Sequence, residues 1–191
     1  NNIMNYIKKI VYLFILLFGC STIIHAQKLE KRFDEMLNEQ YPSNGPGATA
    51  LVAIKGKIIY QKAFGKANLE LDTKTEPDMV YEIGSITKQF TAVSILMLME
   101  QGKLNLDDDI TKFLPNYPTH GYHISIHHLL THTSGIKSYT SMKSWFSVLR
   151  KDFKPKELID FFKNEPMDFD PGEKWKYNNS AYFILGYIIE K

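Results

Sequence analysis

The sequence has 191 residues, 44% of them hydrophobic and 23% charged, a balance typical of a globular domain that excludes a disordered or collagen-like chain. Its single cysteine excludes an intramolecular disulfide scaffold and a cysteine-rich metal site. The formal net charge is +2, and no basic patch with interleaved aromatic residues is present, so nucleic acid is not expected as a partner.

The segment 1–26 has the pattern of a secretory signal peptide. Lys8 and Lys9 precede an apolar run, and small residues lead to an expected cleavage site after Ala26. Two alternatives stay open, a lipoprotein modified at Cys20 and an uncleaved membrane anchor. In every case we expect export to the periplasm or the cell exterior, with membrane contact only through this segment or its lipid. Removing the two lysines from the 23 basic side chains leaves 21, equal to the 21 acidic ones.

The expected mature part, residues 27–191, begins with a predicted helix and hairpin. Apolar residues recur at helical spacing over 28–40, which predicts an amphipathic helix. Two apolar, β-branched runs, 48–54 and 57–64, flank Lys55-Gly56 and predict an antiparallel hairpin.

Helical patterns dominate from residue 85 onward. The predicted helices are Ser85 to Gln101, stopped by Gly102, a short piece near 126–132, Pro155 to Lys163, and the apolar run 180–191. The first of these carries apolar side chains spaced for burial: Phe90, Val93, Leu96, Met97 and Met99. Strands before helices predict an α+β or α/β fold with a helical lobe.

The last predicted helix has no Gly or Pro stop after it. We therefore expect the chain to break off inside a helix, as an incomplete gene product. A hairpin alone is marginally stable, so residues beyond Lys191 are expected to supply further strands of the antiparallel sheet.

Ser85 opens the first long helix, and Lys88 follows one turn later on the same face. A serine hydroxyl is a poor nucleophile unless a base activates it, and a helix N-terminus offers positive potential to a developing anion. The pair fits nucleophilic catalysis, but Ser85 as a helix cap with a solvated Lys88 fits as well. The same Ser-x-x-Lys spacing recurs at Ser134 and Lys137, in a Thr- and Ser-rich loop.

Tyr177-Asn178-Asn179 is the one Tyr-x-Asn of the chain. A tyrosine can shuttle protons where a nearby cation lowers its pKa, and an Asn amide can hold both a substrate carbonyl and a lysine. The alternative is a tyrosine in a helix-entry turn, with Asn179 capping the terminal helix.

Four stretches occur together in the chain. They are Gly84-Ser85-Ile86-Thr87-Lys88-Gln89-Phe90, Gly102-Lys103-Leu104-Asn105-Leu106-Asp107-Asp108, Leu129-Leu130-Thr131-His132-Thr133-Ser134-Gly135-Ile136, and Pro171-Gly172 with Tyr177-Asn178-Asn179. Their order over 30–191 resembles the serine β-lactamase and penicillin-binding protein superfamily. The similarity is greatest to its class C β-lactamase, D-alanyl-D-alanine carboxypeptidase and esterase branch.

The resemblance implies a β-lactamase/transpeptidase-like α+β sandwich, with 27–191 as its N-terminal portion. It implies that Ser85 is the acylated nucleophile and its backbone N–H one oxyanion-hole donor. Lys88 would be the base or proton relay, Tyr177 the general acid/base, and Asn179 the group that orients Lys88 and the substrate amide. Whether Lys88 or Tyr177 takes the serine proton stays open. The resemblance implies no cofactor and no metal.

One departure from the superfamily concerns its third motif, Lys or His followed by Ser or Thr and then Gly. No such triplet is present: Lys74-Thr75-Glu76, Lys137-Ser138-Tyr139 and Lys143-Ser144-Trp145 all lack the glycine. Because the resemblance places this motif on a strand along the substrate channel, the chain as given is expected to be inactive or poorly folded.

Other clusters suggest competing functions. Five of the six histidines fall between His120 and His132, and His128 shares a helical face with His132, but no carboxylate or cysteine lies among them, so zinc is not predicted. Asp107-Asp108-Asp109 lacks calcium-loop spacing and predicts a solvated helix start. The aromatic residues that could line a groove are more typical of a core: Trp145, Phe146, Phe161, Phe162 and Trp175.

The sequence therefore predicts an exported serine hydrolase that forms an acyl-enzyme on amide or ester bonds. A β-lactam, a D-Ala-D-Ala peptide of peptidoglycan and a small ester remain equally open as substrates. The alternative is a non-catalytic penicillin-binding or sensor-type module, or an inactive gene fragment.

Overall fold

The structure, a computed structural model, describes residues 28–191. This part of the chain divides between Tyr81 and Glu82 into two compact units. The predicted signal peptide, 1–26, lies outside the described residues. Within 28–191, no helix is long and apolar enough to cross a membrane.

The first unit contains the predicted helix and hairpin. Its elements are helix α1 over 28–40, the antiparallel pair β1 (Ala48–Ile54) and β2 (Lys57–Phe64), and the small antiparallel pair β3 (Lys66–Asn68) and β4 (Thr73–Lys74). Lys55 and Gly56 have φ of 49° and 76°, as a tight hairpin turn requires. The hairpin prediction is confirmed, and the pair β3–β4 was not predicted.

The second unit is helical. It comprises a 3₁₀ turn (Gly84–Ile86) leading into α2 (Thr87–Glu100), a 3₁₀ turn (Ile110–Lys112), α3 (Ile126–Leu130), a 3₁₀ turn (Tyr139–Ser141), α4 (Trp145–Val148), α5 (Pro155–Phe162) and α6 (Asn179–Glu190). The four predicted helices are confirmed, with their ends shifted by one or two residues. Helix α4 and the short turns were not predicted.

Helix α6 lies at the centre of this unit and packs against α2, α3 and α5. Its buried side chains follow the three-four spacing of one helix face: Ala181, Ile184, Leu185 and Ile188. The core is completed by buried residues of the surrounding elements, including Ile95, Ile110, Ile126, Leu129, Ile159 and Phe162. This packing holds the start of α6 beside the start of α2.

Helix α2 buries less of its surface than its sequence predicts. Ile95 is fully buried, but four residues expected in the core are exposed: Phe90 at 61%, Val93 at 54%, Leu96 at 41% and Met97 at 52%. The prediction of burial for these four is wrong because α2 packs against α6 through another part of its surface, where Ile95 is its one buried residue. Met99 is half-buried.

The aromatic residues divide between core and surface. Phe162 is buried, and Trp145 packs on Tyr139 and Phe161, with ring centroids 4.6 and 6.3 Å apart. Phe146 and Trp175 are 75% and 67% exposed, so the expectation that they belong to the core is wrong. Phe146 lies near the start of α4, and Trp175 lies in the loop before α6.

Candidate active site

The 3₁₀ turn before α2 carries Ser85, and the first turn of α2 carries Lys88 on the same face. The Ser85 side chain is exposed and Lys88 is partly buried, with Lys88 Nζ 3.3 Å from Ser85 Oγ. Ser85 does not cap the helix, because the residues at the N-caps of the turn and of α2 are Ile83 and Ile86. The helix-cap alternative is therefore wrong for Ser85.

Tyr177, in the loop before α6, and Asn179, the first residue of α6, reach the same point. The Tyr177 hydroxyl donates a hydrogen bond of 2.6 Å to Ser85 Oγ, and Lys88 Nζ donates one of 2.8 Å to Asn179 Oδ1. Lys88 Nζ also lies 4.8 Å from the centre of the Tyr177 ring. The structure thus brings together all four residues singled out in the sequence, although 92 positions separate Ser85 from Tyr177.

The residue between them, Asn178, anchors this segment. Its side chain accepts a 2.9 Å hydrogen bond from Ala181 N–H, which caps α6, and donates to the Ile136 carbonyl. Asn178 is only 3% exposed. The alternative in which Asn179 caps α6 is therefore wrong: the cap is Asn178, and Asn179 is free to turn toward Lys88.

A loop over 132–140, which we call the docking loop, holds the start of α6. Ser138 Oγ accepts from Asn179 N–H at 3.2 Å, and Thr140 Oγ1 accepts from Asn179 Nδ2 at 2.9 Å. In the opposite direction, Tyr139 N–H donates to Ser180 Oγ at 2.8 Å. Because its amide nitrogen is bonded to Thr140, the Asn179 side chain points its oxygen at Lys88.

A glycine shapes the docking loop. Gly135 has φ of 71°, and a Cβ there would lie 1.9 Å from the Phe169 carbonyl oxygen. Only glycine combines this backbone conformation with so close an approach. The loop is fixed further by Asp168, whose carboxylate binds Lys137 at 2.7 Å and Lys176 at 2.6 Å.

The electrostatics of the site concentrate on Tyr177. Desolvation alone would raise the pKa of its hydroxyl, but the hydrogen bonding and charge of Lys88, together with the bond to Ser85, hold that pKa below its usual value. A cation against a phenol and a hydroxyl within 2.6 Å form a path along which a proton can leave Ser85. The arrangement can therefore activate a serine nucleophile.

The second Ser-x-x-Lys pair differs from the first in burial and in the partner of its lysine. Ser134 is fully buried, and Lys137 is engaged by Asp168. A buried hydroxyl whose lysine neighbour is ion-paired elsewhere offers no access to a substrate. The structure therefore distinguishes two sequence motifs of identical spacing.

The histidines between His120 and His132 and the acidic run Asp107-Asp108-Asp109 form no cluster of metal ligands within the described residues. Within 28–191, no three histidine, cysteine, aspartate or glutamate side chains come together as ligands. Asp109 caps the 3₁₀ turn at Ile110 by accepting from Thr111 N–H, and Asp108 binds Lys112 at 2.6 Å. The acidic run thus precedes a 3₁₀ turn, and the prediction of a solvated helix start is wrong for Asp108 and Asp109, which are half-buried and bonded to protein groups.

Three residues near the site had no role in the sequence-based predictions. Ser138, Thr140 and Asn178 position the Tyr-x-Asn segment, yet each is a small polar residue in a loop, without a motif of its own. For Asn178 alone a sequence signal exists, the capping pattern, since Asn178 precedes an apolar helix.

Comparison with known proteins identifies the family. The family model "Beta-lactamase" matches residues 29–191. Penicillin-binding protein 4* of Bacillus subtilis is 35% identical over 162 residues, which cover 82% of this chain and 34% of that protein. The chain thus spans about a third of the length of this curated relative.

Two solved structures have the same fold. A D-stereospecific amidohydrolase from a Streptomyces species is 31% identical, with a TM-score of 0.63, over 76% of this chain and 44% of that one. EstCE1, a hydrolase with promiscuous acyltransferase activity, is 26% identical, with a TM-score of 0.70, over 86% of this chain and 47% of its own. The chain has the β-lactamase/transpeptidase-like α+β fold and belongs to the beta-lactamase family of serine hydrolases and penicillin-binding proteins.

Proposed function

We propose that this chain carries the nucleophile and the proton-transfer groups of an exported serine acyl-transfer hydrolase. The observation on which the proposal rests is that Ser85 Oγ has two proton-handling neighbours, the Tyr177 hydroxyl at 2.6 Å and Lys88 Nζ at 3.3 Å. These two neighbours favour a catalytic serine over a serine that only caps a helix or faces solvent in a loop.

The proton path we propose begins with Tyr177 as its phenolate. Its oxygen takes the Ser85 proton while Ser85 Oγ attacks the substrate carbonyl carbon, giving a tetrahedral oxyanion. The Ser85 backbone N–H, in the 3₁₀ turn that leads into α2, is one donor to that oxyanion. Tyr177 then returns the proton to the leaving oxygen or nitrogen as its bond to carbon breaks, and an acyl ester remains on Ser85.

Lys88 and Asn179 hold this path in place. Lys88, as a cation, stabilises the phenolate, and this agrees with the lowered pKa of Tyr177. Asn179 receives one hydrogen bond from Lys88 and gives one to Thr140, so it links the lysine to the docking loop. Hydrolysis repeats the sequence with water in place of the serine hydroxyl, and Ser85 leaves.

The substrate class we propose is an amide or ester with an accessible carbonyl: a β-lactam, a D-Ala-D-Ala peptide or a small ester. Two kinds of support exist. The nucleophile is exposed, and the relatives include a penicillin-binding protein, an amidohydrolase and a hydrolase with acyltransferase activity. The mechanism needs no cofactor and no metal.

The test is covalent labelling followed by intact-protein mass spectrometry. The missing third motif is expected to abolish or slow turnover, so the test measures a single acylation. Over a long incubation, we expect a fluorescent penicillin or p-nitrophenyl acetate to add one acyl group to the wild-type chain and none to Ser85→Ala. Ser134→Ala is the matched control, since it removes the serine of the second motif, and it should label as the wild type does. Labelling of Ser85→Ala at the wild-type rate would refute the proposal, and labelling without release would assign the chain to the acyl-binding modules.

Export is tested separately by the mass of the mature protein. A product beginning at Gln27 in the periplasm or the medium supports cleavage of the segment 1–26. A lipid-modified product beginning at Cys20 supports the lipoprotein alternative. An unprocessed chain in the cytoplasm would refute export.

A further inference from the structure

His132 lies at the start of the docking loop, directly beside the reacting groups. Its backbone is left-handed, with φ of 61°, and its ring is partly buried. The ring centre lies 4.7 Å from that of Tyr177 and 5.0 Å from that of Tyr182, and Trp175 meets it edge-on at 6.0 Å. The imidazole is thus enclosed by three aromatic rings, one of which belongs to the proposed proton-transfer group.

The same residue holds the backbone on both sides of Tyr177. Its carbonyl accepts a 3.0 Å hydrogen bond from Lys176 N–H, and its Nδ1 accepts one of 3.1 Å from Asn178 N–H. An Nδ1 that accepts carries no proton, so the imidazole is neutral, with its proton on Nε2. Tyr177 is therefore fixed by one residue at three points: the preceding amide, the following amide and its own ring.

We propose that neutral His132 is a positioning residue that keeps the Tyr177 hydroxyl within hydrogen-bonding distance of Ser85 Oγ. The proposal rests on the proposed function for its catalytic consequence, while its structural content stands on the contacts of His132 alone. A displacement of about 1 Å in such a group can lower a rate about 100-fold. His132 touches neither the nucleophile nor, in this scheme, the substrate.

The surroundings of His132 favour its neutral form. Burial lowers the pKa of the imidazole, and the positive charge of Lys88 on α2 lowers it further. The other titratable groups that face the ring are the phenols of Tyr177, in the loop before α6, and Tyr182, on α6. Protonation would remove the acceptor of the Asn178 N–H and place a second cation beside Lys88.

Two substitutions separate the acceptor from the ring. His132→Asn keeps an acceptor near the position of Nδ1 and tolerates the left-handed backbone. His132→Phe keeps an aromatic ring and loses the acceptor. We expect the acylation rate with p-nitrophenyl acetate to fall about 10- to 100-fold in His132→Phe and to be largely retained in His132→Asn. We also expect the acid-side loss of rate due to imidazole protonation to be absent in His132→Asn.

A merely structural role predicts a different result. Both variants would then lose rate in proportion to their loss of thermal stability, and the pH–rate profile would keep its shape. That outcome, or a wild-type rate in His132→Phe, would overturn the proposal.

If the wild-type chain is not acylated at all, the proposed function fails, and His132 is judged by nuclear magnetic resonance. Imidazole ¹⁵N shifts that show the Nε2–H tautomer, and an Asn178 amide proton that moves in His132→Phe but not in His132→Asn, support the positioning role. A protonated or Nδ1–H imidazole at neutral pH would overturn it.

Discussion

Replacing Asn178 by alanine should destabilise the second unit markedly, because this side chain makes two different hydrogen bonds from a buried position. Loss of the α6 cap at Ala181 N–H should cost about 1 kcal/mol. Loss of the donor to the Ile136 carbonyl leaves a buried acceptor unpaired and should cost a further ~1–3 kcal/mol. The expected decrease in the free energy of unfolding is therefore about 2–4 kcal/mol.

Urea denaturation followed by circular dichroism measures this change, since the midpoint shifts in proportion to stability at constant m-value. Asn178→Asp keeps the cap oxygen but replaces the donor by a carboxylate oxygen against the Ile136 carbonyl, so it should lose at least the second part. Asn164→Ala, at an exposed turn position, is the matched control and should stay within about 0.5 kcal/mol of the wild type. If Asn178→Ala falls within that same margin, the anchoring role given to Asn178 is wrong.

Three further predictions use other features of the site. Gly135→Ala should prevent stable folding, because its Cβ would lie 1.9 Å from a backbone carbonyl oxygen. Gly102 has a similar φ of 68° with nothing within 4 Å, so Gly102→Ala should lower the free energy of unfolding by only about 1 kcal/mol. Equal midpoints of the two variants in thermal denaturation would contradict this. In Lys88→Met the phenol pKa of Tyr177 should rise, as measured by ¹³C resonance of labelled tyrosine; an unchanged value would show that the lysine does not act on it. Burial tends to raise the pKa of Asp168, but its two lysine partners hold that pKa below the usual value. The carboxylate should therefore stabilise the fold above about pH 4, and this stabilisation should be lost as the pH falls through the folded-state pKa. A stability difference between the wild type and Asp168→Asn that does not shrink in acid would refute this.

Local patterns predicted those parts of the fold that depend on neighbouring residues. The hairpin follows from two β-branched runs around Lys55-Gly56, and both turn residues adopt the positive φ that such a turn needs. Helix α2 ends at Glu100, just before Gly102, as the stop signal indicates. The proximity of Ser85 and Lys88 follows from helix geometry alone.

Contacts between distant residues could not be predicted in the same way. The apolar residues of α2 indicate burial, but spacing does not say which sides find a partner, and Phe90 is exposed. Likewise, two adjacent asparagines at the start of α6 are equally good caps by type. Contacts with distant residues decide between them: Asn179 binds Lys88 and Thr140, while Asn178 binds Ile136 and caps the helix. The same holds for His132, whose hydrogen bond with the Asn178 N–H joins residues 46 positions apart.

The docking loop also sets the order in which the site can assemble during folding. Ser85 and Lys88 become neighbours as soon as α2 forms, and isolated helices form in about 0.1–1 μs. Asn179 meets Ser138 only after a loop of 41 residues has closed, and closure of long loops delays folding. A chain with complete helices and an undocked α6 would carry the nucleophile without its acid/base partner. Under the proposed function, the reactivity of Ser85 therefore depends on the docking of α6 as well as on the formation of α2.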